Sequence, residues 1–509
     1  MRLQALEELD LDRSWQRVLS WARGDIMDVP DRLPYELADR VWVGRPKLDA
    51  DHDTQPVQLV MATKIGTQTV RPFVRPHVRD MLLFQALIDA LRDPIEAALP
   101  GKETLFSYRL SSTDADDAFE DSPQWTDFNK AATRGVLSHP DSYVVRGDLS
   151  SFFLTVALDR LHLDLLEFGA NAAVVQDVDN LLRAWQHQGV RGLPQGLPPS
   201  GPLANIYLRR LDERLHEHAV AYWRYSDDFV AVTDSFASAR EMLDAVEREL
   251  YERGMSLGPG KTSIRRAQTF LADLQGPEDA IDDALQSLLE AAGDYGPSED
   301  DIEDARLDLL RGSFDSAVAA LRGDSYPRRE LIYTLRGLAR ARDGHAAEHV
   351  PYVMTRMPGL TSECMRYLTK LRAPDAPAVI EALSEVATTS FHRDQEWVHI
   401  LRASLRVSNR GLGQLAERFC HLALEHQSPL VRSRALLAWG RHSKPSDIQA
   451  AELFFQRERR MWLGYAIASL KGKSEAAREA LYDHWRSEGR SINRVILSLR
   501  ERPLRCADM

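Results

Sequence analysis

The first part of the chain mixes short apolar runs typical of strands with longer stretches whose apolar residues recur at helical spacing. β-Branched and aromatic residues precede Asp148 in "DSYVVRGDLSSFF" and flank Asp227 and Asp228 in "RYSDDFVAVTDS", which is typical of strands. Two carboxylates inside the second run predict a hairpin with the acids at its tip. Apolar residues at helical spacing mark "MLLFQALIDALRDPIEAAL", broken at Pro94, then "GPLANIYLRRLDERLHEHA", and "ASAREMLDAVERELYERGMSL", ending at Gly254. The mixture predicts an α+β arrangement around an antiparallel hairpin.

From about residue 275 the chain becomes first strongly acidic and then almost entirely helical in pattern. Similar apolar helix ends recur at spacings of 31 to 34 residues, at Leu338, Leu371, Leu405, Trp439 and Leu470. A near-constant period of this size indicates stacked helix pairs, as in HEAT-like repeats. A coincidental succession of amphipathic helices in an all-α domain is the alternative, and both predict a helical second half.

Composition narrows the class of protein without fixing its function. A length of 509 residues with 44% hydrophobic and 28% charged residues is ordinary for a globular protein of two or three domains. No apolar run is long enough to span a bilayer, and the N-terminus lacks the apolar core of a signal peptide. Three widely spaced cysteines argue against a disulfide framework or zinc site and favour the cytoplasm. The net charge of −12 still allows a local basic channel for nucleic acid.

Asp148 is a third acid at the end of a predicted strand. Adjacent buried carboxylates repel each other unless a cation lies beside them, whereas an Asp-rich surface turn is the simpler alternative for Asp227 and Asp228. Carboxylates from neighbouring strands suit Mg²⁺, and two such ions serve phosphoryl transfer to a hydroxyl. Between the acids, the Gly- and Pro-rich stretch Gly189–Asp212 precedes a helix that opens near Ser200. Such a loop lets backbone approach an anionic ligand closely.

Three segments in order resemble the palm motifs of reverse transcriptases: "RGDLSSFF", "LPQGLPPSGPLANIYL" and "RYSDDFVAV". The resemblance implies that Asp148 and Asp227 bind both metal ions, with the Leu149 carbonyl as a further ligand. Asp228 would contribute charge. Phe153 would lie under the incoming sugar and disfavour a ribose 2′-hydroxyl.

The resemblance extends to the nucleotide-binding segments on either side. Gln195 and Gly196 would contact the nucleotide and the opposite strand. "GMSLGPGKTSI" resembles the following palm motif, whose Lys261 would lie near the triphosphate. "TKIGTQTVRPFVRPHVRD" resembles a fingers segment in which Lys64 and Arg71 grip the triphosphate, with Arg75 as a competing choice.

A palm followed by a helical-repeat half resembles the bacterial abortive-infection, or "unknown group", reverse transcriptases. That resemblance implies antiphage defence, two Mg²⁺ ions (or Mn²⁺), dNTP substrates, a single-stranded DNA product and a homo-oligomer, with synthesis that need not copy a template. Tyr35 is the candidate for a priming hydroxyl. Arginines mixed with aromatics in "FFQRERRMWLGY" suit single-stranded DNA, and an amphipathic helix whose arginines face water is the alternative. A retron-like enzyme that copies RNA and a catalytically idle nucleic-acid scaffold are the alternatives.

The predicted organisation has three parts. Residues 1–275 form the fingers and palm, residues 276–320 an acidic helical connection, and residues 321–509 an α-helical repeat domain.

Overall fold

The structure is a computed structural model, and it divides the chain into two compact units. The first comprises Met1–Asp25, Arg45–Leu59 and Phe73–Leu274, and the second Ile26–Gly44, Val60–Pro72 and Gln275–Met509. The residues described are 1–23, 45–63, 69–112, 115, 117–120, 125–274, 281, 284, 299–371, 376–388, 393–406, 425–428, 430–432, 434–435 and 479. Tyr35, Lys64, the predicted helix ends at Trp439 and Leu470, and the arginine–aromatic segment 454–465 lie outside them.

Strands and helices alternate along the first part of the chain. The strands are β1 (Gln58–Thr63), β2 (Val70–Arg75), β3 (Tyr143–Asp148), β4 (Ala221–Tyr225), β5 (Asp228–Thr233) and β6 (Ser263–Arg266). The helices are α1 (Leu11–Arg23), α2 (Val78–Ala90), α3 (Arg92–Ala98), α4 (Trp125–Leu137), α5 (Phe152–Thr155), α6 (Leu158–Glu167), α7 (Ala172–His187), α8 (Ser200–Tyr207), α9 (Arg209–His218), α10 (Phe236–Glu252) and α11 (Ala267–Ala272). Strands β1 and β2 pair with each other. The other four form an antiparallel sheet in the order β4-β5-β3-β6.

This four-stranded sheet is covered on both faces, because its two central strands are apolar on both sides. Val145, Phe229 and Ala231 belong to one core, which α10 helps to close. Val144 and Val230, on the other face, pack with residues of α4. Successive residues of a strand point to opposite faces. The register that buries these residues therefore also fixes the face on which the polar strand ends lie.

Two predicted helices begin or break differently from the expectation. The first break falls at Leu91 (φ −91°, ψ 3°), and Pro94 lies in the first turn of α3, where a missing N–H costs no helical hydrogen bond. The predicted helix after the Gly- and Pro-rich stretch is divided at Leu208 (φ −90°, ψ 4°) into α8 and α9. The N–H groups of Leu208 and Asp212 still bond four residues back, so the division is a kink.

The described part of the second unit beyond residue 298 is helical. Its helices are α12 (Glu299–Arg322), α13 (Arg328–Ala341), α14 (Val350–Arg356), α15 (Thr361–Leu368), α16 (Ala376–Thr388) and α17 (Asp394–Arg406). They share one hydrophobic core, in which Leu338 is fully buried. Leu371 lies beyond the end of α15 and is half-buried. The HEAT-like repeat remains a prediction. No helix in the described part of the chain is both long and apolar enough to span a membrane.

Candidate active site

Strand pairing brings the three predicted acids together. Asp148 is the last residue of β3 and lies directly opposite Asp228, the first residue of β5. The Leu149 N–H donates to the carbonyl of Asp227 at 3.3 Å, which fixes the turn against the end of β3. Side chains of directly opposed residues share a face, with Cβ atoms about 5 Å apart. Carboxylates from remote parts of the sequence are therefore held side by side.

Burial and repulsion between like charges oppose ionisation of Asp228 within the cluster. Burial, followed by the charges of Asp227 and Asp148, raises the pKa of Asp228 to about 6. The half-exposed Lys261 ammonium forms an ion pair with Asp148 and opposes this effect only in part. Like charges packed at the end of a sheet are destabilising, and such arrangements are typical of functional sites.

By chemistry, the residues fit divalent metal ions. Carboxylate oxygens are the ligands that Mg²⁺ and Mn²⁺ prefer, and the raised pKa of Asp228 shows that added positive charge would be favourable here. Within the described residues, no three His, Cys, Asp or Glu side chains already stand as a metal cage. The fit is thus one of donor type and charge, with Lys261 holding one oxygen of Asp148.

The loop that carries Lys261, within the "GMSLGPGKTSI" segment, packs against Asp148 and Ser150. The Gly258 N–H donates to the Asp148 carbonyl at 2.7 Å, and the Ser150 N–H donates to the Ser256 carbonyl at 2.9 Å. A Cβ atom at Gly258 would lie 3.3 Å from Asp148 Oδ2. Glycine here lets the loop carrying Lys261 approach the carboxylate. Gly258 and Lys261 are the first and last residues of the "GPGK" stretch.

The glycine before Asp148 has a separate packing role. Gly147 lies opposite Phe229, and a Cβ there would lie 2.3 Å from the phenyl ring. The ring crosses the strand at that point, so only glycine fits without moving it. The packing of Phe229 against Gly147 thus helps to set the strand register that places Asp148 opposite Asp228.

The Gln195–Gly196 loop is held against β2 by backbone. The Val74 N–H donates to the Gln195 carbonyl at 2.9 Å. Gly196 has φ +86°, and a Cβ there would lie 2.2 Å from the Phe73 ring. The Gln195 side-chain oxygen is buried without a hydrogen-bond partner in the described residues. A polar atom left in that state is available to a ligand.

Phe153 and Ser200 occupy supporting positions around this loop. Phe152 is buried in the core, whereas its neighbour Phe153 is only partly buried. The Phe153 carbonyl accepts a hydrogen bond from the Leu193 N–H at 2.8 Å, which joins the segment after Asp148 to the glycine-rich loop. The Ser200 hydroxyl donates to the Pro194 carbonyl at 2.7 Å and is fully buried, so it shapes the loop.

The predicted triphosphate-binding cations come from the fingers-like segment that includes β2. Arg71 is exposed on β2 and belongs to the second unit, and Lys64 lies outside the described residues. The competing choice, Arg75, is buried. Their roles remain predictions.

Arg224 is a site residue that sequence reasoning missed. It lies in the hairpin next to Tyr225 and is fully buried, with its guanidinium donating to Asp212 and to the carbonyl of Ser226. Its signal was a lone cation inside an apolar strand, which nearly always requires a buried partner.

The raised pKa of Asp228 predicts a pH-dependent gain in stability when its charge is removed. The folded protein holds a proton that the unfolded chain releases above an ordinary pKa of 3.8. Stability linked to this group is therefore complete below that value and is lost as the pH rises through about 6. Asp228→Asn should stabilise the metal-free protein by about 1–2 kcal/mol near neutral pH. Urea denaturation in EDTA measures the change.

The control for this experiment is Asp141→Asn, at an exposed aspartate just before β3. It should have little effect at any pH, and the gain from Asp228→Asn should shrink as the pH falls towards about 4. A destabilised Asp228→Asn protein at neutral pH would contradict the predicted sign.

Comparison with known proteins agrees with this geometry. Residues 63–276 match the family described as "Reverse transcriptase (RNA-dependent DNA polymerase)". The retron Ec73 reverse transcriptase of Escherichia coli is 26% identical over 140 residues, which is 25% of this chain and 44% of that protein. The region of this chain that matches therefore covers less than half the length of that relative.

Solved structures of two telomerases give weaker similarity. Apo telomerase from Candida tropicalis has 9% identity and a TM-score of 0.33, covering 86% of this chain and 76% of that one. Telomerase from Candida albicans, in complex with a fragment of telomeric RNA, has 12% identity and a TM-score of 0.29, covering 80% and 68%. Scores of this size do not establish a shared fold. The family match, which includes all three acids, shows that residues 63–276 are a reverse transcriptase domain.

Proposed function

We propose that the chain is a reverse-transcriptase-type DNA polymerase that joins dNTPs by phosphoryl transfer. The observation that carries the proposal is the pairing of Asp148 with Asp228 beside Asp227, inside the segment that matches the reverse transcriptase family. A cluster of carboxylates in which burial and neighbouring charges raise the pKa of one member, Asp228, is typical of a site that works with bound cations.

In this proposal each residue has a defined task. Asp148, Asp227 and the Leu149 carbonyl hold the metal ions, and Asp228 adds charge. Two Mg²⁺ ions, or Mn²⁺, would supply charge neutralisation for the triphosphate and an activated attacking hydroxyl. Lys261, which forms an ion pair with Asp148, would contact the triphosphate.

Nucleotide selection is assigned to the loop and the aromatic residue beside it. The partly buried Phe153 would lie under the sugar and exclude a ribose 2′-hydroxyl. Gln195 and Gly196 would contact the nucleotide, a role that the unpartnered Gln195 oxygen supports. Lys64 and Arg71 are assigned to the triphosphate on the strength of the motif resemblance alone.

We further propose a role in bacterial antiphage defence, with untemplated synthesis of single-stranded DNA by a cytoplasmic homo-oligomer. The support is the resemblance of the palm motifs, followed by a helical second half, to abortive-infection reverse transcriptases. Tyr35 is proposed as the priming hydroxyl, which would need activation because a free tyrosine has a pKa near ~10.

An RNA-copying, retron-like enzyme is the second candidate, and the 26% identity to a retron reverse transcriptase favours it. An idle scaffold that only binds nucleic acid is disfavoured by the intact acids. Such a scaffold would gain nothing from carboxylates that repel each other.

The deciding experiment supplies Mg²⁺ with each dNTP separately and with all four, then sequences the product and tests whether it is joined to protein. Random or homopolymeric DNA supports untemplated synthesis, and a defined complementary sequence supports copying. A protein adduct retained in Tyr35→Phe would exclude that tyrosine. Absence of any DNA product, with and without added RNA and primer, would overturn the polymerase.

A further inference from the structure

Beneath the acidic hairpin lies a fully buried ion pair. Arg224, on β4, donates from Nε and Nη2 to the two carboxylate oxygens of Asp212, on α9, at 2.7 and 2.6 Å. Both side chains are almost completely shielded from solvent. A bidentate Arg–carboxylate pair is geometrically rigid as well as strong. It therefore offers a fixed platform directly under the turn between β4 and β5.

The same guanidinium also holds the turn. Nη1 of Arg224 donates to the Ser226 carbonyl at 2.9 Å and to Asn205 Oδ1 at 3.2 Å. The Ser226 N–H donates to the Ser107 hydroxyl oxygen at 2.8 Å, and Asn205 Nδ2 donates to the Ser107 carbonyl at 2.8 Å. Both backbone polar groups of Ser226 are thus bound by buried side chains from other elements.

Ser226 needs such support because of its backbone conformation. Its φ of 57° lies in the left-handed region, which is costly for a residue with a side chain. Conformations of this kind persist only where the surroundings hold them, and they concentrate at functional sites. Asp227 follows directly, so the angles at Ser226 set the direction in which that carboxylate leaves the turn.

We propose that Arg224 and Asp212 are positioning residues for Asp227 and Asp228, acting through Ser226. This inference rests on the proposed function for its catalytic consequence, but its primary consequence is the affinity of the acids for a divalent ion. Residues that orient metal ligands typically change affinity or activity by about 10–100-fold when they are replaced. A pair that only stabilised the core would lack this effect.

The chain contains a matched control pair in the same unit. Arg253 and Asp164 form a buried ion pair at 2.8 Å, between the end of α10 and α6. The Arg253 guanidinium also contacts the Tyr207 carbonyl and Glu249. None of these contacts involves the hairpin turn. The two pairs are similar in burial and differ in what they hold.

The test compares Arg224→Met/Asp212→Met with Arg253→Met/Asp164→Met. Replacing both members of a pair avoids leaving an unpaired charge in the core. The main readout is the affinity for Mn²⁺, measured from the electron paramagnetic resonance signal of the free ion. The part of the binding that is lost in Asp227→Asn is assigned to this site. Thermal unfolding and dNTP incorporation are measured alongside.

We expect the first double variant to bind Mn²⁺ at least about 10-fold more weakly and the second to stay within about threefold of wild type. Equal losses in both variants, or an unchanged affinity in the first, would overturn the positioning role. If the first double variant does not fold, Ser107→Ala removes the acceptor of the Ser226 N–H, together with a long hydrogen bond to Asn205 Oδ1 at 3.4 Å. It should weaken Mn²⁺ binding about threefold or more, and an unchanged affinity would overturn the inference.

The two proposals fail in distinguishable ways. A wild-type protein that binds Mn²⁺ through Asp227 but incorporates no dNTP contradicts the polymerase and leaves the positioning test intact. If Asp227→Asn binds Mn²⁺ as tightly as the wild-type protein does, the acids do not bind the ion and the positioning role is contradicted.

Discussion

Asp227→Asn is expected to lower dNTP incorporation by at least about 100-fold while leaving the protein folded. The amide has the size of the carboxylate but carries no charge, and it is a poor ligand for a hard divalent ion. Asp227 is only partly buried and stands next to two other acids, so loss of its charge relieves repulsion. Incorporation of labelled dNTP with Mg²⁺ measures the loss, and thermal unfolding shows that the fold persists.

The matched control for Asp227→Asn is Asp234→Asn, at an exposed residue just beyond the other end of β5. It removes the same charge next to the opposite end of β5 and should leave incorporation unchanged. Activity in Asp227→Asn close to that of wild type would show that synthesis does not depend on this cluster.

Arg224→Met alone is expected to lower the free energy of unfolding by about 3–5 kcal/mol. The variant leaves Asp212 buried without its bidentate partner, and burial already raises the pKa of that carboxyl despite the arginine. The turn carbonyl of Ser226 loses its donor as well. Urea denaturation at neutral pH measures the effect.

Arg183→Met supplies the contrast. Arg183 also pairs with two carboxylates, Asp159 and Asp179, but its side chain is 39% exposed. Because exposed ion pairs contribute little, this variant should change the free energy of unfolding by less than about 1 kcal/mol. Similar losses in the two variants would show that burial of Arg224 does not determine its contribution.

The sequence was sufficient to place the strands and the hairpin, because runs of β-branched and aromatic residues are strong local signals. Strand β3 ends at Asp148 and β5 begins at Asp228, as the flanking residues indicated. That the two aspartates lie opposite each other depends on strand order and register. Periodicity does not encode these, and the motif resemblance supplied them.

Other features escaped because they depend on tertiary contacts. Arg224 and Asp212 lie on a strand and a helix, and nothing in either local pattern pairs them. The kink at Leu208 involves neither glycine nor proline, so the local sequence does not predict it. Gly258 matters because of its distance from Asp148, which only the folded loop reveals.

The antiparallel pairing of β3 with β5 also has a consequence for how the protein matures. Five helices and a strand separate these two segments along the chain, so closing this contact costs chain entropy that a local contact would not, and we expect it to slow folding. A slip of a single residue would send Asp148 and Asp228 to opposite faces of the sheet. Chains with the wrong register would therefore lack the proposed polymerase activity. The specific activity of a preparation would then depend on the fraction of molecules in the native register.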